Sequence, residues 1–233
     1  MTAQLLISNS TQHGGGYLDH CADEMLDFLG GRSELLFVPY ALANRDGYAD
    51  TAIARFAKMK VVCTSIHRAS DPVEAVREAG AMFVGGGNSF RLLKTLHELG
   101  LVEAIRDAVA KGLRYMGASA GSNMACPTIR TTNDMPIVEP PTLSALALIP
   151  FQINPHYLDP PKVSTHMGET RETRLREFLE ENPGPVLGIR EGAWLRREEG
   201  RLTLGGGHAA RLFRRGSDPE EFEPGSSLDF LLA

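Results

Sequence analysis

A serine flanked by alanines and bracketed by glycines stands mid-chain in Gly117-Ala118-Ser119-Ala120-Gly121-Ser122-Asn123. The run follows Gly112-Leu113-Arg114-Tyr115-Met116, which reads as a short buried strand, so Ser119 fits the Gly-x-Ser-x-Gly pattern of a nucleophile elbow. A sharp strand-to-helix turn crowds the backbone, and glycine or alanine beside the serine lets the segments pass closely. The helix that follows would aim backbone N–H groups and its positive dipole end at the serine, where a tetrahedral oxyanion is stabilised. The same residues would serve a tight turn that packs a helix on a sheet, and the motif alone leaves the two readings even.

A second cluster, Val84-Gly85-Gly86-Gly87-Asn88-Ser89, ends a predicted strand and precedes a predicted helix. In open α/β sheets ligands bind there, because strand ends and helix amino termini converge. A tight turn explains one glycine or two; three in succession call for close approach to the backbone. Neither a Lys-Ser/Thr ending nor G-x-G-x-x-G spacing is present, so phosphate binding has weak support and an oxyanion N–H fits at least as well.

A serine nucleophile needs a base, and the chain has seven histidines. His13, His20, His67 and His97 precede the elbow in helix-like or loop contexts. His156 differs: in Phe151-Gln152-Ile153-Asn154-Pro155-His156-Tyr157 an apolar run meets Asn-Pro, a strand-end turn that presents side chains to a crevice. His166 and His208 stay open, and His208 would satisfy the Ser, acid, His order of α/β-hydrolases. For the acid that orients the base, Asp134 and Glu191 each lie at a turn beside an apolar segment. Spacing does not choose between them.

The elements that would carry these residues alternate through the first half. Leu5 to Ser8, Leu35 to Pro39, Val61 to Ile66, Ala81 to Val84 and Leu113 to Met116 are short, mostly non-alternating apolar runs, as strands covered on both faces should be. Helical patterns lie near Leu18 to Leu29, Ala49 to Met59, Pro72 to Ala79, Ser89 to Leu99 and Val102 to Lys111. The third has Asp71 as N-cap, Pro72 at the first helical position and Glu74 completing a capping-box-like pair. This order implies a doubly wound, mostly parallel sheet. After a charged helix, Glu169 to Asn182, the segments Pro185 to Ile189, Ala193 to Arg197, Arg201 to Leu204 and Ala209 to Arg214 suggest antiparallel hairpins added at the sheet edge. Gly216 to Gly225 reads as loop.

At 233 residues, 42% hydrophobic and 23% charged, the chain has the profile of one globular domain spanning 1–233. A net charge of -5 without any basic run gives no case for nucleic acid or an anionic membrane surface. The three cysteines, none in C-x-x-C spacing, suit a reducing compartment. No signal-peptide pattern or apolar span appears, so the cytoplasm is expected. Metal-site spacings such as H-E-x-x-H are missing, and no cofactor is expected.

Six motifs in order then become specific together: Gly85-Gly86-Gly87-Asn88, the Ser119 run, Cys126-Pro127-Thr128-Ile129-Arg130-Thr131-Thr132-Asn133-Asp134-Met135-Pro136, Gln152-Ile153-Asn154-Pro155-His156, Gly168-Glu169-Thr170-Arg171 and Glu191-Gly192-x-Trp194. From Ser8 to Gly206 the chain resembles the peptidase E family, the α-aspartyl dipeptidases of the S51 serine peptidases. The resemblance implies a sheet like that of class I glutamine amidotransferases, with serine in the place of their cysteine. It also implies Ser119 as nucleophile, His156 as base and then acid, and Glu191 as third member, with Gly87 and Ala120 N–H groups as oxyanion hole. The Ser, His, Glu order departs from α/β-hydrolases, so the geometry would be convergent.

Selecting an amino-terminal aspartate requires a cation. Arg171, with Leu175 and Phe178, follows i, i+4, i+7 spacing on the inward stripe of its helix, though an exposed arginine paired with Glu172 or neighbours of Glu169 is the other reading. Asn88 and Asp134 are further substrate-binding candidates. Small peptides are the expected partners, with a homodimer left open. A cyanophycinase-like β-aspartyl peptidase and a non-catalytic nucleotide or anion binder at Gly85 to Asn88 are the alternatives.

Overall fold

A computed structural model describes residues 2–160 and 168–233. His166 lies outside the described residues. Their strands are β1 (Ala3–Ile7), β2 (Glu34–Val38), β3 (Val62–Ser65), β4 (Ala81–Val84), β5 (Arg114–Ala118), β6 (Gln152–Pro155), β7 (Val186–Ile189), β8 (Ala193–Glu198), β9 (Arg201–Gly206), β10 (Ala210–Phe213) and β11 (Glu220–Phe222). The α-helices are α1 (Ala22–Leu29), α2 (Arg45–Lys58), α3 (Pro72–Glu78), α4 (Ser89–Glu98), α5 (Leu101–Ala110), α6 (Ala120–Met124) and α7 (Arg171–Glu181).

The main sheet runs β3-β2-β4-β5-β1-β8-β9, with its first five strands parallel and β8 and β9 antiparallel at one edge. Non-alternating apolar strands follow from burial on both faces. Leu5 and Ile7 of β1 and Phe83 of β4 enter one core; Leu6, Met82 and Val84 enter the other. Asp71 caps α3 as its sequence suggests, its Oδ1 accepting from the Val73 and Glu74 N–H groups at 2.9 and 3.0 Å. Two helix starts differ from expectation. Asn44 accepts from the Gly47 N–H and starts α2 at Arg45, ahead of Ala49. Leu18, at φ 59°, cannot continue a right-handed helix, so a single 3-10 turn precedes α1.

The larger departure is a second sheet, ordered β11-β10-β7-β6. The segments expected at the main sheet's edge divide: β8 and β9 stay there, while β7 and β10 pair with each other and β7 runs parallel to β6. The stretch expected as loop, Gly216 to Gly225, holds β11, which pairs with β10. No apolar pattern marks β11. Its backbone ladder is backed by ion pairs, Glu220 to Arg214 at 2.8 Å and Glu221 to both Arg190 and Arg211 at 2.8 and 3.1 Å.

Candidate active site

The elbow sits where β5 turns into α6. Ser119 has φ 52° and ψ -111°, a sparsely populated conformation that costs on the order of 1–3 kcal/mol and persists only where surroundings enforce it. Both glycines of the motif are sterically required. A Cβ on Gly117 would stand 2.8 Å from the Ser122 nitrogen, and one on Gly121 would stand 2.8 Å from the Val84 carbonyl carbon. They let α6 lie directly on β5 and β4. The Ser122 hydroxyl, 2.7 Å from the Ile7 oxygen, ties the helix down.

His156 follows the last residue of β6 and Glu191 follows β7 by two positions, so base and acid come from the second sheet while the serine comes from the first. His156 Nε2 is 3.0 Å from Ser119 Oγ, and His156 Nδ1 is 2.7 Å from Glu191 Oε1. A carboxylate only accepts, so Nδ1 carries the hydrogen and Nε2 is left to accept from the serine hydroxyl. The His156 and Glu191 side chains are 38% and 48% exposed, which leaves the chain of bonds open to an incoming molecule.

A cleft of about 340 Å³ opens over these three residues. Asn123, Thr132, Asn133, Asp134 and Arg171 complete its polar lining. The Thr131 to Asp134 loop is fastened to β6: Asn133 Nδ2 donates to the Pro155 oxygen at 2.7 Å, and Asn154 Nδ2 donates to Asn133 Oδ1 at 2.7 Å. Asp134 Oδ2 accepts from the Ser89 N–H at 2.7 Å and the Thr132 hydroxyl at 3.0 Å, at the start of α4. Arg171 is the first residue of α7, where Thr170 caps the helix by accepting from the Thr173 N–H at 3.1 Å. Partial burial and the nearby Arg174 pull the Arg171 pKa below its usual value, and Asp134 opposes them. Arg171 remains a cation.

Ser119, His156, Glu191, Asp134 and Arg171 therefore share one cleft. Asn88 is not among its lining residues. Its Oδ1 caps α4 by accepting from the Arg91 N–H at 3.0 Å, and its Nδ2 donates to the Met135 oxygen at 2.8 Å. Gly87 has φ 135°, and a Cβ on Gly86 would stand 3.1 Å from Ser119 Cβ, so the glycine loop lies against the elbow. His208 is exposed beside the acid's turn, its Cδ2 3.0 Å from the Cβ position of Gly192, and is not among the residues that line the cleft. His67 and His97 bond to Asp46 at 3.1 Å and the Ser144 oxygen at 3.3 Å, away from the cleft. Sequence reasoning missed Ser8 and Asn9, which bond to the turns bearing His156 and Glu191. Their position at the end of β1, beside the elbow's own strand, is the signal that could have found them.

Among the described residues, no three His, Cys, Asp or Glu side chains are grouped to hold a metal ion, and no helix is long and apolar enough to cross a membrane. Two solved structures share the fold: a peptidase from an acI-B1 Actinobacterium, at TM-score 0.71 and 16% identity over 98% of this chain and 96% of that one, and a putative peptidase E protein from Listeria monocytogenes, at TM-score 0.68 and 21% identity over 89% and 100%. Sequence relatives are closer. Peptidase E of Streptomyces coelicolor is 59% identical, covering 98% of this chain and 94% of its own. A probable alpha-aspartyl dipeptidase of Drosophila melanogaster is 46% identical, covering 98% and 96%. The pattern of Peptidase family S51 matches residues 4–205, and with relatives this similar over nearly their full length, the chain belongs to that family.

Proposed function

We propose that this chain is a serine dipeptidase that hydrolyses peptides of the form Asp-Xaa through an acyl-enzyme on Ser119. The observation that carries the reading is the run of hydrogen bonds from Glu191 through His156 to Ser119, at 2.7 and 3.0 Å, inside a cleft that also holds Arg171. The names of the relatives, peptidase E and probable alpha-aspartyl dipeptidase, support the same reaction.

Ser119 Oγ attacks the aspartyl carbonyl carbon while His156 Nε2 takes its proton. The Gly87 and Ala120 N–H groups receive the oxyanion, each worth roughly 3 to 4 kcal/mol of barrier if it acts like other oxyanion-hole donors. His156 then protonates the departing amine. Water repeats the sequence on the ester, its proton passing to His156 and then to Ser119. Glu191 stabilises the imidazolium formed in each half. Arg171 takes the substrate β-carboxylate in bidentate fashion. Asp134, in the same cleft, supplies the anion that a substrate α-ammonium needs. One domain over 1–233 and a cytoplasmic setting, from composition and cysteine usage, belong to the same proposal.

The test is hydrolysis of a dipeptide panel by wild type and Ser119→Ala, with fluorophosphonate labelling of both. Cleavage of Asp-Leu and labelling by wild type are expected, with no labelling of Ser119→Ala and only a residual hydrolysis by it, several orders of magnitude slower. Equal cleavage by both proteins refutes the reading.

A further inference from the structure

Three consecutive residues at the end of β1 each hold a different part of the site. The Ile7 oxygen accepts the Ser119 N–H at 3.0 Å. Ser8 Oγ accepts the His156 N–H at 2.9 Å and donates to the Ile189 oxygen at 2.8 Å. Asn9 Oδ1 accepts the Gly192 N–H, beside Glu191, at 2.7 Å. All three residues are fully buried, and none lines the cleft.

The backbones they hold need holding. Ser119 and His156 have φ of 52° and 53°, and Gly192 has φ of 82°, so each turn is left-handed where the chain passes under the site. Left-handed backbone at non-glycine residues persists only when neighbouring structure over-determines it. The serine sits on one sheet and its two partners on the other, so the β6-β7 ladder holds His156 beside Glu191 while no ladder within either sheet sets their distance from Ser119. β1 lies beside β5, and its last residues reach both turns of the second sheet.

Resting on the proposed function, we infer that Ile7-Ser8-Asn9 is a template that sets the spacing of Ser119, His156 and Glu191, and that Ser8 and Asn9 are positioning residues for hydrolysis. Removing the Ser8 hydroxyl frees the His156 N–H and lets the imidazole drift from Ser119. Removing the Asn9 amide does the same for the Glu191 turn. Misplacement by about 1 Å can cost on the order of a hundredfold in rate, so each loss should lower kcat by about ten- to a hundredfold. KM and the inhibition constant of free aspartate should stay within about twofold, because the cleft lining is untouched.

Ser8→Ala, Asn9→Ala and Ser8→Thr are assayed on Asp-Leu, alone and in a Ser119→Ala background. The expected result is a fall in kcat for both alanine variants, recovery in Ser8→Thr, which keeps the hydroxyl, and no further loss when Ser8→Ala is added to Ser119→Ala. Non-additivity of that kind marks a residue acting through the serine and its partners. Retained Ki for aspartate shows that a variant has folded, and Asn9→Ala gives a second test should Ser8→Ala fail to fold. Full kcat in both alanine variants, or equal loss in both backgrounds, overturns the template and leaves the proposed function standing. Full activity of Ser119→Ala overturns the proposed function, and the template with it.

Discussion

Replacing Arg171 by methionine keeps much of the side chain's bulk at the mouth of the cleft and removes the cation assigned to the substrate β-carboxylate. A bidentate pair makes two charge-assisted hydrogen bonds, each worth about 1.5–3 kcal/mol when shielded from water. Two such bonds would sum to about 3 to 6 kcal/mol; Arg171 is only partly buried, so the sum is discounted for solvent to about 2 to 3 kcal/mol, or roughly thirty- to 150-fold in kcat/KM. Asp134 stays behind in the same cleft and repels an uncompensated carboxylate, which adds to the loss for acidic substrates only. The assay is kcat/KM on Asp-Leu, Asn-Leu and Ala-Leu. Asp-Leu should fall by the stated factor while the two neutral substrates change by less than about threefold. An unchanged ratio of Asp-Leu to Asn-Leu would refute the assignment, and a uniform fall on all three would show that Arg171 supports the fold of the cleft instead.

Glu191→Gln keeps an acceptor for His156 Nδ1 but removes the charge beside the imidazolium; kcat on Asp-Leu should drop by about ten- to a thousandfold with KM little changed, and stopped-flow or steady-state assays read it directly. Gly121→Ala places a methyl 2.8 Å from the Val84 carbonyl carbon, backbone that cannot swing aside, so thermal unfolding should shift down by several degrees, whereas Gly112→Ala, with no atom within 4 Å, is strained by its φ of 108° alone and should cost less. Burial pushes the Cys21, Cys63 and Cys126 thiols up to about 12, so all three remain neutral at pH 8; a thiol-disulfide reagent should leave the native protein unmodified and titrate three thiols after unfolding.

How far the sequence reaches depends on how local the cause is. Asp71-Pro72 writes a helix start in adjacent residues, and the apolar runs that become β1, β2, β4 and β5 carry their double burial in their own composition, whereas β3, at the sheet edge, leaves Val62 and Thr64 exposed. Gly117 is legible because the crowding it relieves also arises within five residues, whereas Gly121 makes room for Val84 of a neighbouring strand. Partner choice is not local. β7 and β8 are consecutive short segments, four and six residues long, yet they enter different sheets, and nothing in their adjacent residues names the partner strand. β11 is Glu-Glu-Phe, with one apolar residue, so its strand is set by the edge of β10 and by arginines from elsewhere. Arg171 was placed on an inward stripe by its spacing from Leu175, which is buried, but that spacing could not tell that the stripe ends in a cleft. Ser8 and Asn9 show the limit most plainly: their partners lie 148 and 183 residues away. A polar residue ending an apolar strand looks the same whether it faces water or a histidine N–H.

The division of the site between two sheets has a consequence for the growing chain. Ser119 is synthesised on strands that can pair with one another before any of β6 to β11 exists, and at that stage its hydroxyl has neither His156 nor Glu191. On the proposed triad, hydrolytic competence is thus a late property: Glu191 follows Ser119 by 72 residues, and β11, the last strand of the second sheet, ends 103 residues after it. By the same proposal, a truncated or half-folded copy would be an inert serine turn, and peptide cleavage would wait until folding is nearly complete.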